Sequence, residues 1–221
     1  MRYMIHACPA REWFVEGYMV PEMKRQGIPE EEIEIWMDRN GDGNLMSCMK
    51  SFEECGKRDG GTWHLQDDVV LASDFAEKTR TYDDGLVCGF GRIGWQQLEP
   101  MPGKVSAVFM WNSFQCIRIP DEIAGECAKW FYEDAAFRDI YRRNVEENKY
   151  DDSFFYDFIC EAHLDMTVLN LVPSIVDHGD CLTGGSVINE DRTIWARGSW
   201  WEDDEAFRRA QDIVKELRPD G

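Results

Sequence analysis

The 221-residue chain has no run approaching the ~20 apolar residues of a membrane-spanning helix, so no such span is expected. Its eight cysteines (Cys8, Cys48, Cys55, Cys88, Cys116, Cys127, Cys160 and Cys181) include no Cys-x-x-Cys pair. That excludes a zinc knuckle and a thioredoxin-like dithiol. Met1 to Trp13 holds one early Arg and a broken apolar run, not a secretory leader. Reduced thiols in a cytoplasmic protein are therefore expected, most of them small core fillers. No Gly-x-Ser-x-Gly elbow occurs, so acyl-transfer hydrolysis has no support. No repeat or Ser/Gly-rich linker interrupts the chain, and a single domain over residues 1–221 is expected. Positive charge is scarce. Twenty-four Lys and Arg stand against 43 Asp and Glu, a net charge of −19. Such a surface repels polyphosphates, which disfavours a broad nucleic-acid or anionic-lipid face and suits divalent cations.

What is present is a soluble-globular composition, 43% hydrophobic and 30% charged. Tyr3 to Ala7 has the character of a short buried strand ended by Pro9. Arg11 to Gln26 carries Trp13, Phe14, Tyr18, Met19 and Met23 at helical spacing, with Pro21 as an interruption. Glu34 to Met37 is a second strand, Asp38 to Gly43 a turn, and Leu45 to Cys55 a helix. Thr62 to Leu65, Leu86 to Phe90 and Val105 to Trp111 are further strands. Asp121 to Arg143 and Asp152 to His163 are helical patterns. Ser199-Trp200-Trp201-Glu202 has capping-box spacing and opens a last helix through Val214 and Leu217. The alternation predicts an α/β fold with a mostly parallel central sheet flanked by helices, and a more helical C-terminal part.

Two motifs fail on their chemistry. Asp38-Arg39-Asn40-Gly41-Asp42-Gly43 begins like a calcium loop, but its twelfth position is Met49, which offers no carboxylate. Gly89-Phe90-Gly91-Arg92-Ile93-Gly94 spells a dinucleotide fingerprint. Pro100, Pro102 and Gly103 follow too soon for the helix that would face a pyrophosphate. Both are turns.

The informative segment is Trp63-His64-Leu65-Gln66-Asp67-Asp68-Val69-Val70-Leu71. Two adjacent acids end an apolar strand, where open α/β sheets bind ligands. Neighbouring carboxylates repel unless a cation joins them, and a hard cation with open positions bridges to a diphosphate. The competing reading is a solvated Asp-Asp turn. His64 points away from the acids on the strand, so a hydrogen-bonded core role is expected for it, as for His6 and His163. Most of the nine tryptophans are expected in the core, with Trp111, Trp195, Trp200 and Trp201 as candidates to stack on sugars.

Here the chain resembles the GT-A fold glycosyltransferases, which use nucleotide-sugar donors. The order strand, Pro9, Arg11, helix, strand ending in Asp38, Gly43-Asn44 opening a helix, then an acid-tipped strand matches theirs over roughly residues 1–90. Leu65-Gln66-Asp67-Asp68-Val69-Val70-Leu71-Ala72-Ser73-Asp74-Phe75 is similar to the "L-E-D-D-x-x-x-x-x-D-F" segment of the lipooligosaccharide galactosyltransferase group. The resemblance implies a Rossmann-like GT-A sheet with a donor half in 1–90 and an acceptor half in 91–221. It implies that Asp68 binds Mn2+ or Mg2+, with Asp67 as the middle acid. Ala7, Pro9 and Arg11 would border the nucleotide, Asp38 would contact its base or ribose, and Asn44 would belong to the same donor loop set. Gln66 departs from the pattern, standing where the family has an acid. Tyr150-Asp151-Asp152-Ser153 looks like the segment carrying the base of inverting members, with Asp152 or Asp151 in that role. A helix N-terminus would hold such an acid ionised, although Asp is also an ordinary cap there. Val172-Pro173-Ser174-Ile175-Val176-Asp177-His178 resembles a later family segment and offers His178 as a further metal ligand, one that manganese tolerates.

The function expected from this is transfer of a sugar, from a UDP-sugar or similar donor, to a glycan hydroxyl, with inversion. One alternative is a phage-type enzyme acting on hydroxymethylated DNA bases, for which Arg138, Arg142 and Arg143 form the only basic cluster and the net charge is unfavourable. The other is a non-catalytic nucleotide-sugar-binding module.

Overall fold

In the computed structural model, residues 1–90, 105–107, 114–133, 151–163, 166–171, 173–184 and 202–218 are described. Strand β1 (Arg2–Ala7) is followed by a 3-10 turn at Pro9–Arg11 and a helical run, α1, over 12–25. Pro21 does not interrupt α1. The run widens to a π turn at Val15–Met19 just before it, and Val20–Arg25 resumes as α-helix. The wider turn makes room for a ring that would otherwise strike the carbonyl four residues back. Next come β2 (Ile33–Met37), α2 (Asn44–Cys55), β3 (Gly61–Gln66), β4 (Val69–Leu71), α3 (Phe75–Thr81), β5 (Leu86–Cys88) and β6 (Val105–Ala107). They are followed by β7 (Cys116–Pro120), α4 (Asp121–Glu133), α5 (Asp151–Ala162), β8 (Thr167–Asn170), β9 (Val176–His178), α6 (Asp180–Thr183) and α7 (Asp204–Leu217).

Among the described residues the main sheet has seven strands in the order β2-β1-β3-β7-β5-β8-β6. β2, β1 and β3 run parallel, β7 reverses, β5 and β8 return to the first direction, and β6 reverses again. This is the expected mostly parallel α/β sheet. The second half of the chain is not helices alone, because β7 and β8 complete the sheet. Both were missing from the sequence pattern: Cys116–Pro120 and Thr167–Asn170 are too short to show a period. A separate antiparallel pair, β4 with β9, sets Val69 opposite His178.

The sheet is packed on both faces. Tyr3, Ile5, Trp63 and Leu65 join Phe14, Tyr18 and Phe75 on one side. Met4, Leu86 and Ile117 join Leu45, Phe52, Phe131 and Phe155 on the other. Alternation along each strand assigns the faces, which is why His6 and His64 lie opposite Ile5 and Leu65. Five of the eight cysteines are buried and none forms a disulfide. Where Gly56, after α2, meets Gly125 in α4, the two backbones touch. A Cβ on Gly56 would lie 2.4 Å from the Gly125 Cα.

The last helix starts at Asp204, not at the Ser199 cap suggested by spacing. Asp203 is the cap, accepting from the Ala206 N–H at 2.9 Å and the Ser73 N–H at 2.7 Å. The bond to Ser73 is long-range, and no local spacing rule reports it. Residues 199–201 lie outside the described set. α7 docks on α1 through buried Glu22, which accepts from Arg209 at 2.9 Å, Arg25 at 2.6 and 2.7 Å, and Gln26 at 2.9 Å. Burial raises the Glu22 carboxyl, but Arg25, Gln26 and Arg209 outweigh it and hold the group below its ordinary value.

Two outcomes are expected. Gly125→Ala should lower stability by about 1–3 kcal/mol through overpacking, read as a shifted urea midpoint with an unchanged slope. For Glu22, a depressed folded pKa means its stabilisation is complete above the unfolded carboxylate range and lost as pH falls through it. The wild type should therefore lose thermal stability more steeply than Glu22→Gln on acidification below about pH 4.5.

Candidate functional site

Parallel pairing aligns the tips of the first three strands. Ala7 lies beside Met37 of β2, and His6 beside Gln66 of β3. Asp38, just past β2, donates its N–H to the Ala7 carbonyl at 2.8 Å. Asp67 and Asp68 form the two-residue link between β3 and β4. All these groups meet at one end of the sheet.

The acids do not point into bulk solvent. Asp67 and Asp68 are each 6% exposed, as is Arg11. Arg11 Nη1 donates to Asp67 Oδ1 at 2.8 Å and to Asp68 Oδ2 at 2.6 Å. The Cys8 N–H donates to Asp67 Oδ2 at 2.8 Å. One guanidinium thus bridges two neighbouring carboxylates, a charge-assisted arrangement that leaves a formal charge of −1. Burial and the Asp68 charge push the Asp67 carboxyl up, against the opposing pull of Arg11 and the Cys8 N–H. Cys8 itself is raised to about 11 by burial and by Asp67, so it is a thiol and not a ready nucleophile.

β9 brings the next group. Register places His178 against Val69, and His178 Nε2 stands 3.8 Å from Asp68 Oδ2. Gly179 closes the approach. Its N–H donates to the Asp68 carbonyl at 2.5 Å, and a Cβ there would sit 2.9 Å from that oxygen. The α1 side supports β4, since the Leu71 N–H donates to the Tyr18 hydroxyl at 3.1 Å.

Of the residues named from sequence, the structure brings Ala7, Arg11, Asp38, Asp67, Asp68 and His178 to this end of the sheet. Arg11 is tied to the acids themselves. Asp38 has both carboxylate oxygens engaged by its own loop, accepting from the Asp42 and Gly43 N–H groups at 2.9 Å each. Gly43 has φ +89°, a turn conformation that glycine tolerates, and it leads into α2 at Asn44. Pro9 is exposed beside the acid-binding loop, and Asn44 is half-buried at the first turn of α2. Asp151 and Asp152 open α5, but their side chains lie outside the described residues. The same holds for Arg138, Arg142, Arg143 and the tryptophans Trp111, Trp195, Trp200 and Trp201. Gly89, from the fingerprint-like run, packs against β7 and Ile175: a Cβ would lie 2.9 Å from Cys116 Sγ and 2.8 Å from Ile175 Cγ1. Phe90 beside it is buried in the core, and residues 91–94 lie outside the described set.

Sequence reasoning missed that Arg11 is the counter-ion of the acids. The only available hint was an Arg two residues after the proline that ends β1.

No protein-family model and no curated protein matches the sequence. Among solved structures, the galactosyltransferase LgtC in complex with donor and acceptor sugar analogues aligns at 12% identity and a TM-score of 0.46, covering 98% of this chain and 96% of that one. A putative glucose-1-phosphate thymidylyltransferase from Bacillus anthracis, in complex with a sucrose, aligns at 8% and 0.43, covering 98% and 96%. A197 from STIV aligns at 16% and 0.42, covering 80% and 83%. At these values the likenesses carry no argument about what this chain does. The α/β class rests on the strand directions described above.

The buried triad predicts a non-additive mutant series. Arg11→Met leaves two buried carboxylates without their guanidinium and should cost about 3–5 kcal/mol in denaturant unfolding. Adding Asp67→Asn should recover a substantial part of that loss. Full additivity of the two changes would contradict a shared charge network.

Proposed function

We propose that this chain is a glycosyltransferase that moves a sugar from a nucleotide-diphosphate donor, a UDP-sugar by preference, to an acceptor hydroxyl. The observation that carries the reading is the delivery of Asp67 and Asp68 to the aligned tips of β1, β2 and β3, with His178 3.8 Å from Asp68. This is where an open α/β sheet binds ligands. The similarity of Leu65–Phe75 to the galactosyltransferase segment supports the same assignment. On this reading residues 1–221 act as one domain, with the donor held by 1–90 and the acceptor by 91–221.

Asp68 and His178 present one oxygen and one nitrogen side by side, a pair that fits Mn2+ and, less well, Mg2+. These two residues would hold it, and the bound ion would neutralise the charge of the departing diphosphate. The remaining roles fall to the chain. Arg11 orients both acids at the strand tips and opposes the upward push of burial on Asp67. Cys8 and Pro9 shape the edge of the donor loop next to Asp67. Asp38 braces the Asp42–Gly43 turn at the neighbouring tip, beside the position expected for the base and ribose. Asp152, or its neighbour Asp151, takes the acceptor hydroxyl proton as displacement proceeds, which gives inversion.

A second reading is favoured by one contact. Arg11 already fills the space between Asp67 and Asp68 that a cation would otherwise serve. A pair of acids bridged in this way is suited to bind a nucleotide sugar without performing chemistry.

The deciding measurement is donor hydrolysis and transfer with a panel of UDP-sugars, with and without Mn2+. Asp68→Asn should reduce turnover by at least about 100-fold with the fold intact, the scale of losing a positioned charge-stabilising group. Donor-induced thermal stabilisation without any turnover would select the binding module. Unchanged turnover in Asp68→Asn would remove the metal role.

A further inference from the structure

On the face of the sheet covered by α2, a second set of donors converges. His6 on β1, Cys48 on α2 and His64 on β3 each offer one ligand atom, and the three atoms lie within 4.8 Å of one another. His6 is 6% exposed, while Cys48 and His64 are fully buried. The origin is the parallel register: Met4 pairs with His64 and His6 with Gln66, so the two histidines sit diagonally on one face. α2 lies over them, presenting Ser47, Cys48 and Ser51.

The hydrogen bonds fix one tautomer. Ser51 has a single hydroxyl proton, and it donates that proton to the Cys48 carbonyl at 2.7 Å. At its 3.1 Å contact with His64 Nε2 the serine oxygen must therefore accept. The His64 proton is on Nε2, and the lone pair is on Nδ1. That nitrogen is buried and, among the described residues, has no hydrogen-bond partner. An unsatisfied buried acceptor is costly, about 1–3 kcal/mol, and calls for an explanation. A ligating imidazole that donates its other N–H to a neighbouring acceptor is the usual outer-shell pattern of a metal site. His6 is braced in a related way: its Nε2 lies 3.0 Å from Ser47 Oγ, which also accepts from Trp36 Nε1 at 3.2 Å.

We propose that His6, Cys48 and His64 form a buried binding site for a thiophilic metal ion, copper(I). Two imidazoles and one thiolate are the donors that soft and borderline ions choose. Charge selects among those ions. On binding, Cys48 releases its thiol proton to solvent as the S–Cu bond forms, so the thiolate and a monovalent ion sum to zero. A divalent zinc would leave a net positive charge on the buried donor set, and Asp38, the carboxylate that acts on His6, is already engaged by the Asp42 and Gly43 N–H groups. Three-coordinate copper(I) also needs no water ligand. Both imidazoles are held neutral by burial, His6 at about 4, so neither must lose a proton first. The donors lie under α2, near the strand tips that carry the acids, but the set includes none of the acids and does not rest on the transferase reading.

The test is an anaerobic titration of the full-length protein with copper(I), in competition with a chromophoric copper(I) chelator, followed by X-ray absorption of the loaded protein. Wild type should take up one equivalent with a shell of one sulfur and two nitrogens, and its thermal midpoint should rise. Cys48→Ala should lose that equivalent, whereas Cys181→Ala, at an exposed cysteine, should keep it. Ser51→Ala should weaken binding by about 10–100-fold by releasing the His64 tautomer. A sulfur-only shell, no uptake, equal uptake by Cys48→Ala, or tighter binding of zinc than of copper(I) would each overturn the proposal. The coordination shell of wild type decides the matter even if a variant fails to fold.

Discussion

Two carboxylates adjacent in sequence are buried at the end of a strand, and one guanidinium makes that possible. Without Arg11, Asp67 and Asp68 would each lose their hydration while repelling the other. With it, the loop after β1 is fastened to the loop after β3. The Cys8 N–H adds a backbone tie in the same place. The link also fixes where β4 departs, and β4 in turn sets the register of β9 and brings His178 to Asp68. The proposed donor site is therefore a product of one compensated charge cluster and two strand pairings.

The frame around the cluster is rigid for ordinary reasons. Apolar residues alternate along β1 and β3, so each face of the sheet meets its own helices. On one face α1 is held from both sides: Tyr18 accepts from β4, and Glu22 gathers Arg25, Gln26 and Arg209 of the last helix. On the other, α2 and α4 cross at glycines, close enough for backbone contact. That closeness seats α2 directly over His6 and His64 and brings Cys48 and Ser51 within reach of them. Packing on one face thus supports the acid cluster, and packing on the other assembles a separate set of soft donors.

Much of the secondary structure was legible because it is a local property. The helices of Leu45–Cys55 and Asp152–Ala162 carry a 3.6-residue period, and the strands at Tyr3–Ala7 and Thr62–Leu65 are apolar runs bounded by breakers. The misses share a cause too. Cys116–Pro120 and Thr167–Asn170 are short strands whose identity comes from their neighbours in the sheet. Pro21 was expected to interrupt a helix that instead accommodates it through a π turn. The Asp203 cap depends on Ser73, 130 positions away in sequence. In the candidate site, the acids and His178 could be picked out by residue type and position. Arg11 was picked out as a nucleotide neighbour, while its salt bridges to the acids could not be.

By itself the sequence determined the acidic surface, the alternation that makes an α/β sheet, and the presence of two acids at a strand end. These follow from composition and from periods of two and 3.6 residues, which act over a few neighbours. Only the tertiary structure decided that Arg11 bridges those acids, that His178 approaches them, and that His6, Cys48 and His64 meet under α2. Each of these depends on register between segments distant in the chain. A shift of one residue would send every side chain of a strand to the opposite face, and nothing in the local pattern records which partner a strand will find.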